Sequence, residues 1–275
     1  MDSVFSIYNT VFYERADPRV KDWLLMKSPW PIFFIIVTYL TLIKVILPKH
    51  MRHRKAYDLK TIIKWYNIVQ IIANCVVTWG ILTSGWTTTY HMGCVLPDYS
   101  MKPEPVRMLR FLWWTTVLKL LELFETMFFI LRKKETQASF LHVYHHVSTL
   151  IIIWSGVKYV GGGLTSFPPM LNNGIHVIMY SYYLLSSEGS PSVKARLTKY
   201  KKWLTIMQMI QFTIMLIHSS QVFWPNCPAP LGVTPLYFST VVTVYYMFYD
   251  FYKKNYKQTE KRNKNKSCLN GVKNN

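Results

Sequence analysis

Acidic residues, and charged residues in general, are scarce in this chain. Asp and Glu number 13 among 275 residues, and charged residues make up 16%, against roughly 25% in soluble domains. The four cysteines are too few for a small secreted domain held together by disulfides. Hydrophobic residues make up 51%, which excludes a disordered or collagen-like chain. What is left is a folded, strongly apolar protein.

Long apolar stretches alternate with basic loops, so the mean hydropathy is only +0.11. A bilayer core about 30 Å thick needs roughly 20 apolar residues per helix. Seven stretches meet this length, at about 29–47, 62–84, 111–131, 139–159, 168–187, 203–222 and 232–252. No apolar run followed by a small-residue cleavage site precedes them, so we expect no signal peptide. The sequence predicts an all-α polytopic membrane protein with a seven-span domain over 29–252, an N-terminal segment 1–28 and a basic tail 253–275.

The basic residues indicate the orientation. Lys and Arg number 32, and most of them lie in the first, third and fifth loops and in the tail. By the positive-inside rule these parts face the cytosol, which places the N-terminus in the lumen and the C-terminus in the cytosol. No basic stretch belongs to a nucleic-acid-reading motif, so membrane lipid, and not nucleic acid, is the expected partner. Cys94 and Cys227 then both fall in lumenal loops, and we expect a disulfide between them, although sequence alone does not fix connectivity.

Polar and ionisable side chains recur inside the spans at helical spacing. Such residues are costly in a membrane and mark functional sites. They comprise Lys119, Glu122, Glu125 and Thr126 in the third span, His142, His145 and His146 in the fourth, Asn173, His176, Tyr180 and Tyr183 in the fifth, and Thr205, Gln208 and Gln211 in the sixth. Counted from the span ends, these polar stripes lie mainly in the cytosolic half, with His176 somewhat deeper, which predicts a polar cavity open to the cytosol.

A second interpretation of such stripes is simple adhesion between helices, because Asn, Gln and His often cross-link spans. For the second span, with Asn67, Gln70, Asn74 and Thr78 at i, i+3, i+7 and i+11, the two interpretations stay open. Three clustered histidines beside Lys and Glu are more than adhesion requires.

Four motifs, in order, resemble those of the ELO family of very-long-chain fatty acid elongases, which are 3-ketoacyl-CoA synthases. His142–His146 reads His-x-x-His-His, and 173–183 reads Asn-x-x-His-x-x-Met-Tyr-x-Tyr-Tyr. Residues 205–211 read Thr-x-x-Gln-x-x-Gln, and 17–19 read Asp-Pro-Arg before the first span. The third-span motif of the family is Lys-x-x-Glu-x-x-Asp-Thr, and here Glu125 replaces the Asp, adding one methylene.

The resemblance implies a condensation at the cytosolic face of the endoplasmic reticulum. A long-chain acyl-CoA and malonyl-CoA give a 3-ketoacyl-CoA two carbons longer, with release of CO2 and CoA. It implies no metal and no cofactor besides these substrates. The implied partners are the reductases and the dehydratase of the elongation cycle, and the implied fold is a helical bundle or barrel around an apolar acyl tunnel.

The resemblance also implies roles for residues. By analogy His145 accepts the acyl group as an acyl-imidazole, His176 faces it, and His142 and His146 orient it and assist proton transfer. Lys119, Glu122 and Glu125 then form a charged support, while Asn173 and Tyr180 donate to the developing oxyanion. The basic residues at the cytosolic face suit CoA phosphates, although topology alone also explains them.

Two other classes of protein remain as alternatives. Membrane di-iron desaturases and hydroxylases also use His-x-x-His-His boxes, but they need about eight histidines in several boxes. Here His50, His53, His91 and His218 lie in loops or on another stripe. A non-enzymatic seven-span receptor or transporter is the third class. A receptor pocket usually opens outward, and a transporter usually shows an inverted repeat, which we do not find.

Overall fold

The protein is helical throughout the part that the computed structural model describes, residues 2–227, 229 and 232–258, and this part contains no strand. A short N-terminal helix, α1, is followed by seven long ones. Their bounds are Asp2–Asn9 for α1, Trp30–Met51 for α2, Lys60–Trp86 for α3, Pro103–Leu131 for α4, Phe140–Tyr159 for α5, Phe167–Glu188 for α6, Pro191–Ser219 for α7 and Thr234–Tyr252 for α8. The tail predicted at 253–275 lies largely outside the described residues.

Every predicted span coincides with a long helix, and three of these helices, α2, α3 and α5, are long and apolar enough to cross a membrane. The chain is therefore a helical membrane protein. In α4 the mean hydropathy is reduced by buried polar and ionisable residues, and in α8 by tyrosines.

Two predicted boundaries are wrong. Helix α4 begins at Pro103 and not near 111, and α7 begins at Pro191 and not near 203. The basic residues between 191 and 202, predicted as loop, are helical. The Ser190 side chain caps the Val193 N–H, and a proline in the first turn needs no N–H partner, so the helix starts early.

Six helices pack into a closed ring. Around the ring the order of neighbours is α3, α4, α5, α8, α7 and α6, and α6 packs extensively on α3 to close it. The second helix lies outside the ring against α4. We call the end that carries the Cys94–Cys227 bond the disulfide end, and the end with the α4–α5 and α6–α7 loops the basic end. Polar stripes of several helices therefore face one interior.

The N-terminal segment is pinned across the disulfide end. Arg19 pairs with Asp17 at 2.6 Å and also donates to the backbone carbonyl of Ser100 at 3.3 Å. The indole N–H of Trp154 and the ammonium of Lys158 donate to the backbone carbonyls of Leu25 and Met26, at 2.8 and 2.6 Å. Residues 17–26 thus form a strap over this end of the ring.

Gly163 lets the segment between α5 and α6 approach the loop that carries Cys94. The disulfide partners Cys94 and Cys227 have Cα atoms 5.8 Å apart. Next to them the Leu164 N–H donates to the Val95 carbonyl at 2.7 Å. Gly163 has φ +51°, and a Cβ there would lie 2.4 Å from the Val95 oxygen. Only glycine fits this position without a shift of backbone.

We expect Gly163→Ala to lower the free energy of unfolding by about 1–3 kcal/mol, because it adds left-handed strain to a backbone clash. The matched control is Gly156→Ala in α5, where a Cβ meets nothing within 4 Å and helix propensity rises. Thermal unfolding of both variants in one detergent measures the difference. Equal midpoints for the two variants would show that the junction tolerates a side chain.

Candidate active site

Glu122 is the centre of a buried charged cluster inside the ring. The Lys119 ammonium on the same helix lies 2.8 Å from its Oε1 and 3.1 Å from its Oε2. His176 Nδ1 of α6 lies 2.9 Å from Oε1, and His146 Nδ1 of α5 lies 3.7 Å from Oε2. All four side chains are buried. Three helices are thereby joined at one carboxylate, as the stripes predicted.

Glu125 holds a second junction one turn further along α4. Its Oε1 accepts hydrogen bonds from the Tyr66 hydroxyl, at 3.0 Å, and from the Tyr180 hydroxyl. Its Oε2 lies 3.8 Å from His146 Nε2. The two nitrogens of His146 therefore face the two glutamates, at distances longer than a direct hydrogen bond.

The polar stripe of α3 is connected by hydrogen bonds to Glu125 of α4. The Asn74 amide donates to Gln70 Oε1 at 3.1 Å, and the Gln70 amide donates to the Tyr66 hydroxyl at 2.9 Å. The Tyr66 hydroxyl in turn donates to Glu125. In this series of hydrogen bonds every donor points toward the Glu125 carboxylate, an arrangement in which each hydrogen bond polarises the next. The α3 stripe therefore supports the site as well as joining α3 to α4.

Thr126 fixes the outer part of the histidine box. Its hydroxyl lies 3.1 Å from His142 Nε2 and 2.7 Å from the Tyr39 hydroxyl of α2. The His142 ring packs on His146, with centroids 4.2 Å apart. Both rings thus point toward α4.

His145 faces another direction, into a long apolar cavity. On α5 the cavity is lined at helical spacing by His145, Thr149, Ile152, Gly156 and Val160. Lys119 lines its head, and side chains of α6, α7 and α8 form the other walls. We call this space the long cavity. It extends from the charged cluster to the disulfide end.

The remaining predicted residues lie at different distances from this centre. The Asn173 amide donates a hydrogen bond to the Thr115 hydroxyl at 3.0 Å. The Tyr180 hydroxyl donates to Glu125, so both predicted oxyanion donors are hydrogen-bonded to neighbouring side chains. Gln208 and Gln211 contact the sulfur atoms of Met179 and Met215, at 3.6 and 3.3 Å. Thr205 is buried, whereas Tyr183 is exposed at the edge of the site, beside Tyr180.

One group among the described residues has the donor types of a metal site. Ligand atoms of Glu125, His142 and His146 lie within 4.8 Å of one another. Glu125 already accepts hydrogen bonds from Tyr66 and Tyr180, and His142 is hydrogen-bonded to Thr126. Our expectation of a reaction without metal remains a prediction.

Sequence reasoning missed two tyrosines. Tyr66 lies four residues before Gln70, so the spacing of the α3 stripe could have revealed it. Tyr39 is an isolated tyrosine in an apolar stretch, and nothing in the sequence connects it to Thr126.

Replacing Tyr66 by Phe removes the donor that α3 gives to Glu125. We expect a loss of about 1–3 kcal/mol in stability, because a buried carboxylate loses one partner, and a lower kcat with little change in KM. Tyr246→Phe is the matched control, since Tyr246 is 68% exposed. Thermal unfolding and substrate saturation curves test both variants. Tyr66→Phe indistinguishable from the control would mean that Glu125 does not depend on α3.

The chain belongs to the ELO family: the sequence profile described as the GNS1/SUR4 family matches residues 24–264. It is 37% identical to very long chain fatty acid elongase 7 of Drosophila melanogaster, over 96% of this chain and 82% of that one. It is 36% identical to very long chain fatty acid elongase 4 of Homo sapiens, over 94% and 81% of the two chains. With elongase 7 of Rattus norvegicus the identity is 40%, over 78% and 76%. The resemblance inferred from the motifs is thereby confirmed.

Proposed function

We propose that this chain is the condensing enzyme of fatty acid elongation, a very-long-chain 3-oxoacyl-CoA synthase, and therefore an acyltransferase. The observation that carries the proposal is the position of His145, at the head of the long cavity and beside the buried cluster of Lys119 and Glu122. A fatty acyl chain fits an apolar cavity of this kind, which serves as an acyl tunnel, and its thioester then lies at the imidazole.

In the first half-reaction the imidazole nitrogen of His145 attacks the thioester carbonyl. The new N–C bond replaces the C–S bond, and the proton leaving the imidazole goes to the CoA sulfur. His146, held between Glu122 and Glu125, packs against His145 with ring centroids 5.3 Å apart and keeps the ring in place. His142 and His176 complete this support.

In the second half-reaction malonyl-CoA loses CO2, and the electron pair of the broken bond forms an enolate. The enolate carbon attacks the acyl-imidazole, a C–C bond replaces the N–C bond, and His145 takes up a proton again. The buried Lys119 ammonium lines the head of the cavity and favours negative charge developing there. Atoms balance with the two CoA substrates and one proton from solvent, which His145 takes up, so the proposal includes no cofactor.

The basic end suits the CoA portions of both substrates. The loop after α4 carries Arg132, Lys133 and Lys134, and the first turns of α7 carry Lys199. Phosphates bind such side chains through charge-assisted hydrogen bonds. We place this end in the cytosol and the disulfide end in the lumen of the endoplasmic reticulum, with seven spans and a cytosolic C-terminus. The reductases and the dehydratase that process the product are the proposed partners.

The alternatives have no support. The chain belongs to the elongase family, and this membership supports neither a di-iron desaturase or hydroxylase nor a receptor or transporter. A metal chelator added to the purified protein is expected to leave the condensation unchanged, and loss of activity that returns with one metal would contradict this part of the proposal.

The direct test uses purified protein in detergent, malonyl-CoA labelled at C2 and a 16-carbon acyl-CoA. We expect label in a 3-ketoacyl-CoA two carbons longer, one CO2 per product, and none without the acyl-CoA. Label that never enters a longer chain would contradict the proposed function.

A further inference from the structure

A second cavity lies beside the N-terminal segment at the disulfide end. Its volume is about 470 Å³, within the range of roughly 300–1,000 Å³ that small-molecule sites occupy. One part of its wall carries the charged and hydroxyl groups of Arg15, Asp17, Tyr99 and Tyr159, and the rest is mainly valine and proline. We call this space the end cavity. Its wall suits a ligand that is polar at one end and apolar at the other.

The uncompensated charge of the end cavity is positive. Asp17 is neutralised by Arg19, whose guanidinium nitrogens lie 2.6 and 3.0 Å from its two carboxylate oxygens. Arg15 has no ion-pair partner and no side-chain hydrogen bond among the residues that the structure describes. The neighbouring Glu14 carboxylate accepts a hydrogen bond from Thr10 at 2.9 Å and does not line the cavity. A guanidinium without a counterion favours an anion, and phosphate matches its fork geometry.

Tyr159 supplies a second donor to the same cavity. The Tyr99 hydroxyl donates to the Tyr159 backbone carbonyl at 3.2 Å, so the end of α5 is held against the loop before α4. The Tyr159 hydroxyl itself makes no hydrogen bond to any other described residue. A guanidinium and a phenol O–H that line one cavity are suited to bind two oxygens of a single phosphate.

The end cavity lies at the depth of lipid head groups. Its wall includes Val160, which directly follows the last residue of α5. The N-terminal helix that leads to Arg15 packs on the start of α2, with the Tyr8 and Trp30 rings 6.5 Å apart between centroids. Both α2 and α5 are long and apolar enough to cross a membrane. Their ends therefore mark the edge of the hydrocarbon core, where a head-group layer about 5–7 Å thick begins.

We propose that the end cavity binds the phosphate of an anionic glycerophospholipid from the leaflet at the disulfide end. Arg15 and Tyr159 bind the phosphate oxygens, and the glycerol and the first acyl carbons lie against Val11, Val160 and Val233. A membrane lipid is favoured over a soluble phosphate ester, because the valine wall and the depth of the cavity both call for an apolar part. The bound lipid joins the N-terminal segment to the end of α5 and so stabilises the folded protein.

The test titrates delipidated full-length protein in detergent with dioleoyl phosphatidylglycerol and counts bound lipids by native mass spectrometry. We expect one tightly retained lipid and an unfolding midpoint that rises with lipid concentration. Arg15→Gln should weaken binding about tenfold or more, because it removes a charge-assisted hydrogen bond, and Tyr159→Phe about threefold or more. Arg110→Gln is the matched control, since Arg110 is exposed in the early turns of α4, at the same end, and does not line the cavity.

Two further ligands identify the source of the phosphate. Dioleoyl phosphatidylcholine has the same chains and phosphate, and we expect it to bind more weakly because its choline cancels the negative charge that Arg15 attracts. Glycerol 3-phosphate lacks acyl chains and should leave the unfolding midpoint unchanged. If it raises the midpoint as far as the lipid does, the site takes a soluble phosphate ester and the lipid assignment is wrong.

Size-exclusion profiles identify misfolded variants, and Arg15→Lys, which keeps the charge, should retain part of the binding that Arg15→Gln loses. Lipid retention that is the same in wild type, Arg15→Gln and Tyr159→Phe would overturn the proposed site. Binding is measured without acyl-CoA, so this outcome is independent of the proposed function.

Discussion

Purified protein given acyl-CoA without malonyl-CoA is expected to release about one CoA per active site and then stop, and His145→Ala is expected to release none. The loss should be at least about 10³-fold, because a missing nucleophile is not replaced by its neighbours. His142 and His146 point toward Thr126 and the glutamates, and only His145 of the three lines the long cavity. Rapid-quench measurement of free CoA gives the amplitude, and peptide mapping should find the acyl group within 142–146.

Two controls accompany this result. His53→Ala, in an exposed position, should keep the full burst. His142→Ala should slow the burst without removing it, because its ring packs on His146 and orients the box from one side. A wild-type burst that requires malonyl-CoA would show that both substrates react in one ternary complex. His145 would then act as a base or a hydrogen-bond donor.

Glu122→Gln is expected to cost about 3–5 kcal/mol of stability and to abolish condensation, because it leaves the buried Lys119 ammonium without its counterion. Asp250→Asn makes the same carboxylate-to-amide change in an exposed pair with Lys254 and should leave the unfolding midpoint unchanged. Thermal unfolding in detergent and the labelled malonyl-CoA assay measure the two effects.

The double variant Lys119→Met/Glu122→Met separates stability from chemistry. Replacing both charges by apolar groups should restore much of the stability that Glu122→Gln loses, while activity stays absent. Full activity in the double variant would contradict a role for the charged cluster in condensation. A Glu122→Gln protein as stable as the control would show that the cluster contributes little to the fold.

The charged centre could be predicted from sequence because it depends on helical periodicity alone. Lys119, Glu122 and Thr126 share a stripe in any helix, and a carboxylate buried in an apolar helix requires partners, which the histidines supply. Tyr39 could not be assigned, since its role depends on which helices lie beside α4, whereas the spacing of the α3 stripe could have revealed Tyr66 but not its partner Glu125. The cavity walls are equally hidden, because α5 packs on α8, which follows it in the chain only after two other helices.

The third-span motif did not reveal the hydrogen-bond partners of Glu125, the residue that stands where the family has Asp. The carboxylate is shared by Tyr66 and Tyr180, on two helices that pack against each other. Tyr66 of α3 is therefore part of the site, although it lies outside the family motifs found in the sequence.

The order of helices around the ring also determines when the ring closes during synthesis. The stripe of α3 has α6 as a neighbour, yet about 80 residues separate the end of one from the start of the other, which takes roughly 4–16 s at 5–20 residues per second. Gln70 and Asn74 are in the growing chain throughout that interval, before the helix that covers them exists. The last helix, α8, enters between α5 and α7. A nascent chain that lacks α8 therefore exposes His145 through an open side of the ring, which closes only once α8 has been added.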